Sequence, residues 1–321
     1  MRVILKATSN LSDAHIIGHG DFGTVYDATL LPDRQEVAIK RLHGSYQFIC
    51  DRQFAAEMET IGKLEHDNLV PLLGYSARGD ERFLIYKRMH HGSLQTWLRN
   101  QGNTPGRQFG WPDRLKILLG SARGLVFLHR SRITHRDIKS SNILLDELMR
   151  PRVSDFCLAR IISGYETRVR TGASGSHGYI PPEYFLTMKG TAKGDVYSFG
   201  VVMLEVLTGR PPAGQEMEEE GGGNLVGWVR WMVAHGREGE LFDPCLPASG
   251  MWRNQMVRAL AVAQECTADE PWKRPAMGSV VDELKADVYK RQAMGSVVDE
   301  LKAIQLIKDE PRSLQGRVVQ A

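Results

Sequence analysis

The sequence predicts an α+β fold of two lobes, a small antiparallel β-sheet lobe with one helix followed by a larger, mainly α-helical lobe. Three observations carry that expectation. Short β-branched and apolar runs crowd residues 16 to 88, apolar residues recur mostly at helical spacing from Ser93 onward, and Met89-His90-His91-Gly92-Ser93 between them reads as a hinge. Gly92 breaks structure there, and Ser93 is placed to cap a helix. With 321 residues and 42% hydrophobic content, the chain is long enough to bury a sizeable core.

Taken in order, residues 1–15 form a lead-in and residues 16–88 the first lobe. Ile16-Ile17 enter a glycine-rich turn, and Thr24-Val25-Tyr26, Val37-Ala38-Ile39 and Phe83-Leu84-Ile85-Tyr86 have the composition of strands. Phe54, Met58 and Ile61 place a helix between them. In the second lobe, residues 89–286, Leu115, Leu118, Ala122, Leu125 and Leu128 share one helix face, and Val201 to Leu207 is apolar enough for a fully buried helix. Glu216, Glu218, Glu219 and Glu220 followed by Gly221-Gly222-Gly223 read as an exposed loop. Residues 276–286 recur without change at 293–303. A repeat array needs about three units to build a continuous core, so this reads as a recent duplication or a fault in the sequence record, with only one copy in the terminal helix and residues 287–321 as an appended tail.

Composition excludes several classes. The formal charge of +3 is too balanced to predict nucleic-acid binding, so any phosphate site must be local. Cys50, Cys157, Cys245 and Cys266 form no CxxC pair, which argues against a zinc site or a disulfide framework and fits a reducing cytosol. No apolar run reaches the roughly 18 residues of a membrane span, the start lacks a signal-peptide core, and Arg2 stands where a myristoylation signal requires glycine. The expectation is a soluble, cytoplasmic chain with no membrane span.

The motifs point to phosphoryl transfer. Gly18-His19-Gly20-Asp21-Phe22-Gly23-Thr24-Val25 fits GxGxxGxV, where glycines let a strand-turn-strand backbone approach phosphates closely. Strand-type residues follow and lead to Val37-Ala38-Ile39-Lys40, a context that excludes a dinucleotide-binding turn. Glu57 lies on the helix stripe of Phe54 and Ile61, as a carboxylate paired with Lys40 would. His135-Arg136-Asp137-Ile138-Lys139-Ser140-Ser141-Asn142 then supplies an Asp to orient a hydroxyl, a Lys for phosphate charge and an Asn for metal, and Asp155-Phe156-Cys157 adds a second metal-binding Asp.

Together these residues resemble a eukaryotic protein kinase, which implies the bilobal kinase fold over about residues 10 to 286. The resemblance makes Asp137, Lys139, Lys40 and Glu57 catalytic, with Asn142 and Asp155 holding Mg²⁺, or Mn²⁺ as an alternative. It surrounds ATP with Ile17, the residues from Gly18 to Val25, Ala38, Lys40 and Leu144, with Tyr86 as gatekeeper and the backbones of Lys87 and Met89 on adenine. His135, Arg136 and Phe156 become structural supports, as does Asp195 beneath the catalytic loop. Glu183 of Pro181-Pro182-Glu183 would pair with Arg274.

Asp137-x-Lys139-x-x-Asn142 is similar to the Ser/Thr form of the catalytic loop. Gly178-Tyr179-Ile180-Pro181-Pro182-Glu183-Tyr184 and Asp195-Val196-Tyr197-Ser198-Phe199-Gly200 narrow the resemblance to plant receptor-like kinases, above all the leucine-rich-repeat branch. That implies protein substrates, a receptor or co-receptor kinase partner, and a place on the cytosolic face of the plasma membrane if the chain is part of a receptor. Arg136 before Asp137 goes with activation-loop phosphorylation, for which Thr171 and Ser174 are the candidates. Three departures stand out: Cys157 replaces a glycine, the segment before His135 is short with Thr134 at an apolar position, and Lys87-Arg88 replaces Glu-Tyr. The alternative they raise is a nucleotide-binding pseudokinase scaffold.

Overall fold

The computed structural model describes residues 1–20, 23–43, 51, 54, 55, 57, 58, 62, 64–100, 109–156, 158, 160, 161, 178–214, 223–246 and 250–286. Ile61, Cys50, Cys157, Thr171, Ser174, the Glu216 loop and the second copy of the duplication lie outside the described residues. The first lobe is a five-stranded antiparallel sheet in the order β1-β2-β3-β5-β4. Its strands are β1 (Ile16–Gly20), β2 (Gly23–Leu30), β3 (Gln35–Leu42), β4 (Leu72–Arg78) and β5 (Glu81–Lys87).

The period of two along β3 decides what each face does. Val37 and Ile39 are fully buried on the outer face with Tyr26, Ala28 and Phe83. That face is covered by α1 (Arg2–Ala7), whose Ile4 joins the same cluster, so the lead-in is an integral part of the sheet's packing. Ala38, Lys40 and Leu42 take the opposite face, where Leu42, Val70, Leu84, Tyr86 and Met89 cluster with Phe54 and Met58 of the helical segment carrying Glu57. This second face turns toward the helical lobe.

The chain crosses at the hinge. Gly92 takes φ +65°, which only glycine adopts without strain, and Ser93 Oγ accepts the Thr96 N–H at 3.2 Å to start α2 (Leu94–Arg99). The second lobe is then mainly helical: α3 (Trp111–Arg130), α4 (Pro182–Thr187), α5 (Ala192–Thr208), α6 (Leu225–Ala234), α7 (Met251–Cys266) and α8 (277–286). The first copy of the repeated segment therefore lies in the last helix among the described residues. Short strands β6 (Ile133–Thr134), β7 (Ile143–Leu145), β8 (Pro151–Val153) and β9 (Arg160–Ile161) form two small antiparallel ladders on the cleft side.

The stripe on α3 faces the core, with Leu118, Ala122, Leu125 and Leu128 fully buried. Helix α5 sits in the middle of the lobe. Thr191 caps its start by accepting the Gly194 N–H at 3.0 Å, Gly209 ends it at φ +70°, and every residue from Phe199 to Thr208 is buried. It approaches α7 tightly at Gly200, where an added Cβ would lie 2.7 Å from Cys266 Cβ and 2.8 Å from Thr267 Cγ2. Gly200→Ala is therefore expected to destabilise the protein by about 1–3 kcal/mol, despite up to about 1 kcal/mol gained from better helix propensity. A lower urea midpoint at unchanged m-value checks this; an unchanged midpoint contradicts it.

Candidate active site

The upper wall of the cleft comes from the sheet. Strands β1 and β2 pair with Gly20 opposite Gly23, and a Cβ at Gly23 would lie 2.2 Å from the Arg41 carbonyl, so β2 can run there only as glycine. Gly18 has open space where a Cβ would project, the room a bound phosphate chain requires. Asp21 and Phe22 lie outside the described residues. Lys40 is paired in register with Val25 on one side and Leu84 on the other, which sends its side chain to the cleft face. There Nζ meets Asp155 Oδ1 at 2.7 Å.

Glu57 is fully buried and accepts from the Tyr86 hydroxyl and, at 3.2 Å, from the Phe156 N–H. Glu57 and Lys40, its partner in the sequence reading, line the same cavity. Tyr86, facing Ala38 across the β3–β5 ladder, reaches the Glu57 carboxylate, and Lys40 meets Asp155. Asp155 itself sits at φ +66°, in the left-handed region that Asp tolerates better than most residues.

The lower wall is built on Asp195, in the first turn of α5 and only 2% exposed. Its Oδ2 accepts the His135 N–H at 2.8 Å and lies 2.9 Å from His129 Nε2, while Oδ1 accepts the Arg136 N–H at 2.8 Å. These bonds hold a backbone bend with Arg136 at φ +72°. The Asp137 N–H donates to His135 Nδ1 at 3.2 Å, so the proton is on Nε2, which donates to the Ser154 carbonyl at 3.0 Å. The His135 and Phe156 rings pack with centroids 4.9 Å apart. The short segment before His135 closes without distorting this arrangement, because Arg132 turns at φ +59° directly after α3 and buried Thr134 pairs with Arg160 in β9.

Asp137 thus arrives with its carboxylate fixed. Asn142 Nδ2 donates to Asp137 Oδ2 at 3.0 Å and to its carbonyl at 2.9 Å, and Lys139 Nζ lies 3.0 Å from the same Oδ2. Beside Lys139, Ser140 Oγ donates to Glu205 at 3.2 Å and lies 3.0 Å from the Tyr179 hydroxyl, which donates to Glu205 at 2.5 Å. Arg99 completes this buried cluster at 2.7 Å from Glu205. Farther out, Arg274 grips Glu183 through two bonds of 2.7 Å and also binds three backbone carbonyls, bracing α4.

Between the walls lies a cavity of about 580 Å³. Ile17, Gly18, His19, Gly20, Gly23 and Val25 line its roof with Ala38 and Lys40; Tyr86, Lys87 and Met89 line its back, and Leu144 its floor. Lys139, Asn142 and Asp155 close one end, and Asp137 is held beside them. Thr24 turns its hydroxyl to His43 Nε2 at 2.9 Å. Val70, Arg88, Gln95, Thr96 and Ser154 also line the cavity, and sequence reasoning assigned them no site role. Gln95 and Thr96 fall in the turn that Ser93 caps, so the hinge signal itself marked that region.

The donor set fits a nucleotide and a hard cation. The cavity has the size of a nucleotide site and a lysine at one end. Asn142 commits its amide hydrogens to Asp137, leaving its oxygen for a cation beside the Asp155 carboxylate, a pair suited to a metal that favours oxygen. Fold and site together define a bilobal phosphotransferase.

The sequence profile of the protein tyrosine and serine/threonine kinase family matches residues 11–284. The chain therefore belongs to that family, whose members use ATP and a divalent metal. It is 68% identical over 285 residues to the leucine-rich repeat receptor protein kinase MSP1 of Oryza sativa subsp. japonica, a match covering 88% of this chain and 22% of that protein. Leucine-rich repeat receptor protein kinase MSL1 of the same plant is 58% identical, covering 88% and 21%. Serine/threonine-protein kinase BRI1-like 2 of Arabidopsis thaliana is 45% identical, covering 88% and 26%. The chain thus spans about a quarter or less of the length of these relatives. No helix among the described residues is long and apolar enough to cross a membrane.

The Glu205 cluster gives a pH signature. Burial pushes the Glu205 carboxyl up from 4.5 to about 7, against the opposing pull of Tyr179 and Arg99. The folded protein then binds this proton more tightly than the unfolded chain, so the group's contribution to stability is fully present below about pH 4.5 and is lost as pH rises through about 7. Glu205→Gln is expected to flatten that part of the profile by on the order of 2 kcal/mol between pH 5 and 7.5, read by urea unfolding. An unaltered pH slope contradicts it.

Proposed function

We propose that this chain is the ATP-dependent Ser/Thr kinase part of a plant receptor-like kinase, transferring the γ-phosphoryl group of ATP to hydroxyls of protein substrates. The observation that carries the proposal is the Asp137 carboxylate, fixed by Asn142 and Lys139 at the end of a nucleotide-sized cavity that also receives Lys40 and Asp155. Direct transfer needs little covalent chemistry from the protein. It needs alignment and charge stabilisation.

In this reading Asp137 orients a Ser or Thr hydroxyl and accepts its proton as the oxygen attacks the γ-phosphorus. Lys139 meets the negative charge on the transferring group, and Lys40 holds the α- and β-phosphates. Asn142 and Asp155 would hold a divalent cation, Mg²⁺ in preference to Mn²⁺, which when bound neutralises phosphate charge. The backbones of Lys87 and Met89 receive adenine between Ala38 and Leu144. Arg136, whose guanidinium rests where Gly190 leaves room for it, would pair with phosphate on Thr171 or Ser174.

The Ser/Thr assignment rests on Lys139 two residues after Asp137 and on relatives of that name. Similarity to receptor kinases supports a place on the cytosolic face of the plasma membrane and a receptor or co-receptor kinase as partner. A pseudokinase scaffold has no support from the family match or from a site that retains Lys40, Asp137, Asn142 and Asp155.

Incubation with ATP, Mg²⁺ and a basic protein substrate, followed by mass spectrometry, tests the proposal. Wild-type protein is expected to form phosphoserine and phosphothreonine. Asp137→Asn is expected to lower transfer by about 100-fold or more while still binding ATP. Nucleotide binding without transfer by the wild type overturns the reading.

A further inference from the structure

The hinge runs Tyr86-Lys87-Arg88-Met89, and the two polar atoms of Met89 are in opposite states. Met89 is 3% exposed, and its N–H has no acceptor among the described residues. Its carbonyl oxygen is full. It accepts Arg88 Nη1 at 2.8 Å and the Gly92 N–H at 3.4 Å, which uses both lone pairs of a carbonyl oxygen. Arg88 is anchored in this pose, since its Nε meets Asp27 Oδ1 of β2 at 2.5 Å and its side chain is only 23% exposed. The guanidinium therefore ties the hinge to β2, and Arg88 and Met89 themselves line the cavity.

The consequence depends on the order of atoms along a purine edge. In adenine the 6-amino group, N1 and C2 follow one another, a donor, an acceptor and a plain C–H. On the nucleotide reading proposed above, the 6-amino group meets the Lys87 carbonyl and N1 meets the Met89 N–H, so C2 comes opposite the Met89 carbonyl. Adenine asks nothing of that oxygen. A purine with an amino group at position 2 brings a donor to an acceptor already filled and sets it beside a cation. Buried without a partner, that amino group carries its full desolvation cost.

We propose that Arg88 is a specificity-determining residue that makes this site discriminate against 2-aminopurine nucleotides by occupying the Met89 carbonyl. The inference rests on the nucleotide site already proposed and adds to it a filter at one ring position. Guanine differs from adenine at positions 6 and 1 as well, so it cannot isolate the effect. The triphosphate of 2,6-diaminopurine riboside can, because it keeps the adenine edge and adds only the 2-amino group.

Titration calorimetry of the whole chain with Mg²⁺ and either ATP or the 2,6-diaminopurine triphosphate gives a ratio of dissociation constants. Wild-type protein is expected to bind ATP at least about fivefold more tightly, the worth of one neutral hydrogen bond. In Arg88→Ala, which frees a lone pair on Met89, the ratio is expected to fall to about one or to invert, and Asp27→Asn, which loosens the Arg88 anchor, to move it the same way. A wild-type ratio at or below one overturns the inference without recourse to any variant. So does a preference for ATP that persists unchanged in Arg88→Ala. If the wild type binds neither nucleotide, the nucleotide site itself falls and this inference with it, an outcome distinct from ATP binding with no selectivity at position 2.

Discussion

The site depends above all on one carboxylate. Asp195 accepts the His135 and Arg136 N–H groups and meets His129, fastening the end of α3, the catalytic-loop bend and the first turn of α5 at a single buried point. Neither N–H could be satisfied by a regular ladder, because the backbone reverses at Arg136 in the left-handed region. Charge-assisted bonds at 2.8 Å offset the strain of that bend, and the helix N-terminus favours the negative charge. Once the bend is fixed, the position of Asp137 follows from it. Asn142 and Lys139 then only trim the carboxylate's orientation.

A second set of bonds couples this floor to the roof. His135 packs on Phe156 and binds the Ser154 carbonyl, so the segment bearing Asp155 is held from below. From above, Lys40 holds Asp155 while Glu57 takes the Phe156 N–H and the Tyr86 hydroxyl. Buried charges are costly alone, and these stand at the cleft only because each carboxylate has donors. Asp155 is thus the meeting point of both lobes, and Tyr86 at the end of β5 is bonded to the same Glu57 carboxylate that holds the Phe156 N–H.

Legibility in the sequence followed the range of the interaction. Lys40 was readable because alternation along Val37-Ala38-Ile39-Lys40 decides which face it takes, and the α3 and α5 cores because apolar spacing decides burial. Glu183 and Arg274, 91 residues apart, were readable only through resemblance, since nothing local to either names the other. The contacts of Glu57 with Tyr86, of Arg88 with Met89, and of Glu205 with Tyr179, Ser140 and Arg99 were not readable. Each depends on which rotamer a long side chain takes once the lobes are docked. Helix α1 was also missed, because a six-residue segment has too few turns to show a period and acquires its role from Ile4 packing on the finished sheet. Cys157, the departure that raised the question of activity, lies outside the described residues.

The claim that the Asp195 clamp positions Asp137 is tested most directly by single-turnover phosphoryl transfer in Asp195→Ala, with ATP affinity measured on the same sample. Loss of the clamp is predicted to slow transfer by about 100-fold or more, because small misplacement of a catalytic group is costly, while ATP dissociation changes by less than about threefold. Transfer at the wild-type rate in a folded, ATP-binding Asp195→Ala protein would contradict the account.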